Sequence, residues 1–182
     1  EDYNQSNSLS GSVVIPGYGT QTTIELNPYQ DEVVEGNETA TLTLDDTDFD
    51  KVTVASDGSQ TASVTITDDD EAEISIEATQ ANAAENGEGD PTDGEYTVTM
   101  SKAARADVTV DVAISGTAVN GTDYTTILTE TTIEAGETSK VIGLDVSEDA
   151  IVEGDETVIL TISNPQPGGG LSSGLFSISD TD

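Results

Sequence analysis

The sequence predicts an all-β protein built from antiparallel β-sandwich modules in tandem, and three observations lead to this prediction. Apolar residues alternate with polar ones over short runs, clusters of turn-forming residues separate the runs, and a nine-residue motif occurs twice. Strict alternation turns one side-chain face inward and the other toward water, which is typical of a half-buried strand. Short strands at this spacing, without a helical stripe, favour an antiparallel sandwich or barrel.

The predicted strands follow one another along most of the chain. The alternation predicts them, in order, at 40–44, 64–66, 74–76, 96–100, 108–114, 158–162 and 176–178. Thr and Val dominate these runs, as the pleated surface of a sheet favours. Turn-forming residues gather between them at 56–59, 86–90, 120–123 and 135–137. Such clusters of Gly, Asn, Asp and Ser indicate tight connections between strands.

The repeated motif divides the chain into two copies of one module. Residues 31–39 read DEVVEGNET and residues 149–157 read DAIVEGDET, with six of the nine positions identical. The flanks repeat too, since Asp2-Tyr3 matches Asp123-Tyr124, and ITDDD at 66–70 matches ISDTD at 178–182. A spacing of this size suits a whole sandwich domain. We therefore predict a partial module at 1–70 and a complete module at 71–182.

The first copy is predicted to be truncated at its N-terminal side, because nothing in it corresponds to residues 71–121. A half sandwich exposes its inner face and its unpaired strand edges, so it should be unstable alone. Two explanations are open at this stage. The chain is an excised fragment, or strands of another chain complete residues 1–70 by strand exchange.

Composition excludes several classes of function. The chain has 37 Asp and Glu against 4 Lys and Arg, a net charge of −33, and no His or Cys. It therefore has no Ser-His-Asp or Cys-His nucleophile system, no zinc site of the usual kind and no disulfide. So few basic residues argue against a nucleic-acid partner and against binding to an anionic membrane surface. No apolar run approaches the roughly 20 residues that span a bilayer, so we expect no membrane insertion.

Acidic residues gather at the strand ends that a sandwich brings to one pole, and this pattern predicts a metal site in each copy. In residues 71–182 these acids are Glu85, Asp123, Glu148, Asp149, Glu153, Glu156, Asp180 and Asp182. In residues 1–70 they are Asp2, Asp31, Glu35, Glu38, Asp68, Asp69 and Asp70. Converging carboxylates repel one another unless a cation lies among them. Ca²⁺ takes about 6–8 oxygen ligands in forgiving geometry, so it fits better than Mg²⁺.

Four motifs in fixed order resemble those of Calx-beta domains: GTDY at 121–124, AGET at 135–138, IVEGDET at 151–157 and DDD at 68–70. The resemblance implies tandem immunoglobulin-like sandwiches of the kind found in sodium/calcium exchangers and large bacterial surface proteins. It also implies calcium ligands near the first strand, in the GTDY loop, in the acidic loop and at the exit strand. The implied residues are Glu85, Asp123, Asp149, Glu153, Glu156, Asp180 and Asp182, with Glu148 and the Ile151 carbonyl as further candidates. The first copy departs from this set, since it lacks a counterpart of Glu85 and has Gln30 where Glu148 would be.

These observations favour a calcium-binding structural module of a larger secreted or cell-surface protein, of the bacterial adhesin kind. Calcium would lock the junction between successive repeats, whose neighbours are the expected partners. One alternative is a calcium sensor that switches a partner domain, as the exchanger resemblance implies. A remote alternative is a glycoside hydrolase with a carboxylate pair. With 5 Tyr, 2 Phe and no Trp, the chain has little material for a sugar-binding cleft, and we expect it not to be an enzyme.

Overall fold

The computed structural model describes residues 3–5, 11–45, 51–85, 91–149, 151 and 154–179. They form two compact units, the first from residues 1–31 and 37–68 and the second from residues 32–36 and 69–182. The strands run, in chain order, as follows: β1 Tyr3–Gln5, β2 Leu26–Pro28, β3 Glu38–Thr43, β4 Thr61–Ile66, β5 Ala72–Gln80, β6 Gly94–Met100, β7 Val108–Gly116, β8 Glu130–Ile133, β9 Ser139–Leu144, β10 Val158–Pro167 and β11 Phe176–Ile178. A 3₁₀ turn, Ser173–Leu175, precedes β11, and the described residues contain no α-helix. The predicted all-β class is confirmed.

The first unit consists of two separate strand pairs. β1 pairs with β2, and β3 pairs with β4 in an antiparallel ladder without a register shift. Hydroxyl groups line one face of the second pair, with oxygen–oxygen distances of 2.9 Å between Thr41 and Ser63 and 3.3 Å between Thr43 and Thr61. Among its described residues this unit buries no hydrophobic side chain. A two-stranded ribbon without a buried face gains little free energy from the hydrophobic effect.

The second unit is a sandwich of two sheets. One sheet has the order β11-β5-β6-β9 and the other has the order β10-β7-β8. All pairings are antiparallel except that of β11 with β5, which is parallel. A bulge in β10 between Ser163 and Gln166 is held by Asp111, whose carboxylate accepts hydrogen bonds from the Asn164 and Gln166 amides.

The core of the second unit lies between its two sheets. Its buried side chains come from alternate positions of the strands and from a few loop residues: Val34, Ala72, Ile74, Val98, Met100, Ala104, Val108, Val110, Val112, Tyr124, Ile127, Ile133, Leu144, Leu160, Ile162, Leu171 and Phe176. One of them, Val34, lies in the repeated motif of the first copy. It is nevertheless packed in this core, so the segment Glu32–Gly36 is part of the second unit.

All seven predicted strand regions coincide with strands of the structure. Four strands were not predicted: β1, β2, β8 and β9. Their sequences, YNQ, LNP, ETTI and SKVIGL, lack the strict alternation of apolar and polar residues that predicted the other strands. Within the described residues no helix is long and apolar enough to cross a membrane.

Candidate metal centres

A cavity of about 1000 Å³ opens at one pole of the second unit. Strands of both sheets line it, and its apolar wall includes Leu144 and Leu160. Three of the predicted calcium ligands, Glu85, Asp123 and Glu156, also line this cavity. The fold thus brings to one cavity acids that lie up to 71 residues apart in sequence. This convergence follows from the topology, because the loops that carry them leave strands ending at the same pole.

The loop that carries Asp123 is held by its own hydrogen bonds. The Asp123 Oδ2 atom accepts from the Val119 N–H at 2.6 Å. The Asn120 side chain bridges the backbone of Ile127, donating to its carbonyl at 3.1 Å and accepting from its N–H at 3.0 Å. The Asp123 carbonyl accepts from the Ser147 N–H at 2.9 Å. The GTDY loop is therefore tied to the residue just before the acidic loop begins.

The acidic loop 148–156 is fixed at both ends. At its start, Asp149 Oδ1 accepts a hydrogen bond from the Ile151 N–H at 2.6 Å. At its end, the Thr157 carbonyl accepts from the Thr117 and Ala118 N–H groups at 3.0 and 3.2 Å. The backbone at position 116 approaches Thr157 so closely that only glycine fits there. Its φ is 118°, and an added Cβ atom would lie 2.1 Å from the Thr157 carbonyl oxygen. These contacts position Glu156 at the cavity.

Two tyrosines lie beneath the acids of this pole. The Tyr96 hydroxyl donates to the Val158 carbonyl at 2.7 Å. The Tyr124 hydroxyl is buried and has no hydrogen-bond partner among the described residues. Burial, and after it the negative charge of Asp123, raises the pKa of Tyr124. Burial, and after it Tyr124, likewise raises the pKa of Tyr96. The Asp123 carboxylate therefore adds to burial in disfavouring ionisation of the Tyr124 hydroxyl.

A second acidic group is formed by three consecutive residues, Asp68, Asp69 and Asp70. One carboxylate oxygen from each lies within 4.8 Å of the other two. Oxygens that share one Ca²⁺ at roughly 2.3–2.6 Å can lie no more than about 5.2 Å apart. The three side chains therefore fit a single calcium ion. The chemistry of the donor set agrees, because all three donors are hard, charged oxygens.

A lysine is already present beside this acidic group. Asp70 is buried and forms an ion pair with Lys102. The hydrogen bond from Lys102 to Asp70 raises the pKa of Lys102, and Coulombic attraction to Asp70, Glu32 and Asp69 adds to this, while partial desolvation opposes it. The ammonium group thus offsets part of the negative charge that a metal ion would neutralise.

The remaining predicted ligands have varied placements. Glu148 and Asp149 lie at the start of the acidic loop and do not line the cavity. Asp31 and Glu38 belong to the first unit, whereas Glu35 belongs to the second. Four predicted ligands lie outside the described residues: Asp2, Glu153, Asp180 and Asp182. Within the described part of the chain, Asp68–Asp70 is the group of three acids that approach closely enough to share an ion.

Sequence reasoning overlooked two features of these sites. Asp155 lines the cavity together with Glu156. Its position inside the IVEGDET motif, next to the predicted ligand Glu156, could have identified it as a further candidate ligand. The ion pair of Lys102 with Asp70 was also overlooked. Because the chain has only 4 basic residues, each was a candidate partner for a buried acid.

Comparison with known protein families gives one result for nearly the whole chain. The family model described as the Calx-beta domain matches twice, at residues 2–70 and at residues 68–177. Both repeats are matched, so the resemblance inferred from the four motifs is confirmed. A search of curated proteins found no match.

Proposed function

The chain belongs to the Calx-beta domain family, and from this premise we propose that it is a calcium-binding structural segment of a larger extracellular or cell-surface protein. Domains of this family are non-catalytic binding or structural modules, and they generally bind calcium. Beyond what family membership implies, we assign the ion to particular residues and a stiffening role between successive repeats.

One observation carries the calcium assignment: the carboxylates of Asp68, Asp69 and Asp70 approach within 4.8 Å of one another. Three negative charges at this separation repel one another, and the single ammonium of Lys102 compensates for only one of them. A divalent cation would compensate for the other two. At the cavity of the second unit the support is the donor type, because Glu85, Asp123 and Glu156 line it with carboxylate oxygens, which Ca²⁺ prefers.

Calcium at these places would stabilise the loops that carry the ligands. When bound, it supplies two positive charges to a chain whose net charge is −33. Asp68–Asp70 end one repeat where the next begins, so an ion there would stiffen the junction between neighbouring repeats, which we take to be the partners of each module. The alternative of a calcium sensor predicts the same ligands but a tighter affinity.

Calorimetric titration of calcium into the metal-free, intact chain tests this proposal. We expect binding in the range of about 10⁻⁴–10⁻³ M, typical of extracellular modules, whereas a sensor would bind at about 10⁻⁷–10⁻⁵ M. Glu156→Gln should weaken binding at the second unit, because it removes one charged ligand from the cavity. The matched control is Glu137→Gln, in the turn between β8 and β9, which should leave the titration unchanged.

Two results would count against the calcium role. The first is the absence of binding at millimolar calcium. The second is an equal loss of affinity in Glu156→Gln and Glu137→Gln, which would show that only general negative charge attracts the ion.

A further inference from the structure

The segment Glu32–Gly36 belongs to the first repeat by sequence and to the second unit by packing. Val34 has no exposed surface. Its backbone forms a parallel bridge with Ala104, in which the Val34 N–H donates to the Ala103 carbonyl at 2.9 Å and the Val34 carbonyl accepts from the Arg105 N–H at 3.1 Å. Val34 is therefore held by a single backbone bridge and by burial of its side chain.

Side chains on both sides of this bridge complete the contact. The Arg105 guanidinium donates to the Glu35 carbonyl and, at 3.4 Å, to the Gly169 carbonyl. At Gly36, φ is 75° and an added Cβ atom would lie 3.1 Å from Leu171 Cδ2. Each residue of Val-Glu-Gly thus contributes one feature. Val34 places an apolar side chain in the core, the Glu35 carbonyl accepts from the Arg105 guanidinium, and Gly36 forms a left-handed turn beside Leu171.

Charge complementarity is concentrated at the same place. Two of the chain's four basic residues, Lys102 and Arg105, lie here. The segment that they meet carries Glu32 and Glu35. In so acidic a chain, two basic side chains at one place attract an acidic segment rather than repel it.

We propose that residues Ala103–Arg105, together with Leu171, form a docking groove through which a Calx-beta module recognises the acidic loop of another Calx-beta module. The partner is a Val-Glu-Gly strand, which this chain carries twice, at 34–36 and at 152–154. In the structure the groove holds the strand of the first repeat. The groove adds to the calcium role a means of ordering repeats, and it rests on the family assignment and on packing rather than on calcium.

A disulfide trap tests the docking within the chain, which has no cysteine of its own. In a buffer of oxidised glutathione, which accepts the two electrons, V34C/A104C should form one intramolecular disulfide rapidly under native conditions, because the two residues face each other across the bridge. V33C/A104C is the matched control. Successive side chains of an extended segment point to opposite sides, so the control should oxidise far more slowly.

A second trap tests recognition of a separate strand. The chain variant V34D/A104C should leave the groove empty, because a buried unpaired charge is costly. A synthetic peptide of residues 31–39, with Cys at position 34 carried as its disulfide with glutathione, should then exchange with the Cys thiolate introduced by A104C and release glutathione at least about 10-fold faster than the same peptide with Cys at position 33. Should V34D/A104C fail to fold, V34A/A104C serves in its place, since loss of the valine methyl groups weakens the packing of the chain's own segment and lets the added peptide compete for the groove.

The two traps give clear outcomes. Selective oxidation of V34C/A104C together with selective peptide capture supports the groove as a recognition site. Equal oxidation rates in V34C/A104C and V33C/A104C, or equal capture of the two peptides, would overturn it. Both measurements are made in chelator, so a failure of calcium binding would affect the proposed function and leave this result unchanged.

Discussion

The two repeats place equivalent residues in opposite environments. Leu44 and Ile162 both lie five residues after the last Thr of the motif, yet Leu44 is 46% exposed and Ile162 only 4%. Val64 and Phe176 both lie two residues before the shared Ile, and their exposed fractions are 54% and 7%. The apolar pattern therefore tells which side chains can be buried, and the neighbouring strands decide whether they are.

The difference arises from strand partners. In the second unit β10 pairs with β7, and β11 pairs with β5, so the two strands enter different sheets and face the core. The equivalent strands of the first unit, β3 and β4, pair with each other. In the first unit the pairing of β3 with β4 satisfies backbone hydrogen bonds without burying the side chains of these strands.

The largest expected effect that distinguishes the two units comes from Gly116→Ala. The new Cβ would lie 2.1 Å from the Thr157 carbonyl oxygen, at a φ of 118°. We expect a loss of about 4 kcal/mol or more from the free energy of unfolding of the second unit, with faster hydrogen exchange in β7 and β10 and no change in β3 and β4. Gly136→Ala is the control for backbone strain without a clash, because φ is 82° and no atom lies near the added Cβ. It should lower the free energy of unfolding by about 1 kcal/mol. Equal costs would show that the close approach to Thr157 is unimportant.

A smaller difference in the free energy of unfolding is expected when the equivalent residues Ile162 and Leu44 are each truncated to alanine. Ile162→Ala removes a buried side chain and should lower the free energy of unfolding by about 2–4 kcal/mol. Leu44→Ala removes a side chain that is already half in water, and it should cost less than about 1 kcal/mol. Urea denaturation followed by circular dichroism measures both. A cost at Leu44 as large as that at Ile162 would mean that other strands cover the first unit in solution.

The smallest expected effect is a pH dependence confined to the second unit. The pKa of Tyr124 is raised in the folded chain by burial and by Asp123, so the folded state holds this proton more tightly than the unfolded state does. Its contribution to stability is fully present below about pH 10 and is lost as the pH rises through the folded pKa. Tyr124→Phe should flatten the fall in melting temperature above pH 10. Tyr29→Phe, at an exposed site of the first unit, is the control, and the same flattening there would refute the assignment to Tyr124.

Several features of the fold and the sites could be read from the sequence because they depend on local patterns. The alternation of apolar residues at 108–114 predicts β7, and the motifs predict the family. The acids at Glu85, Asp123 and Glu156 could be assigned to one cavity because sandwich loops from aligned strand ends meet at a pole. The pairing of Asp70 with Lys102 could not be read, since it joins residues 32 positions apart through packing that no local pattern reveals.

By itself the sequence determined that the chain is all-β, that it carries one module motif twice, and that its acids concentrate at strand ends. These properties follow from side-chain periodicity and charge, which depend on the order of residues alone. Only the tertiary structure decided that Val34 leaves its own repeat to fill the core of the second unit. A valine beside acidic residues is equally suited to either unit. The backbone bridge at Ala104 selects the second, because it satisfies the Val34 N–H and carbonyl while the side chain is buried, and the Arg105 guanidinium holds the neighbouring Glu35 carbonyl.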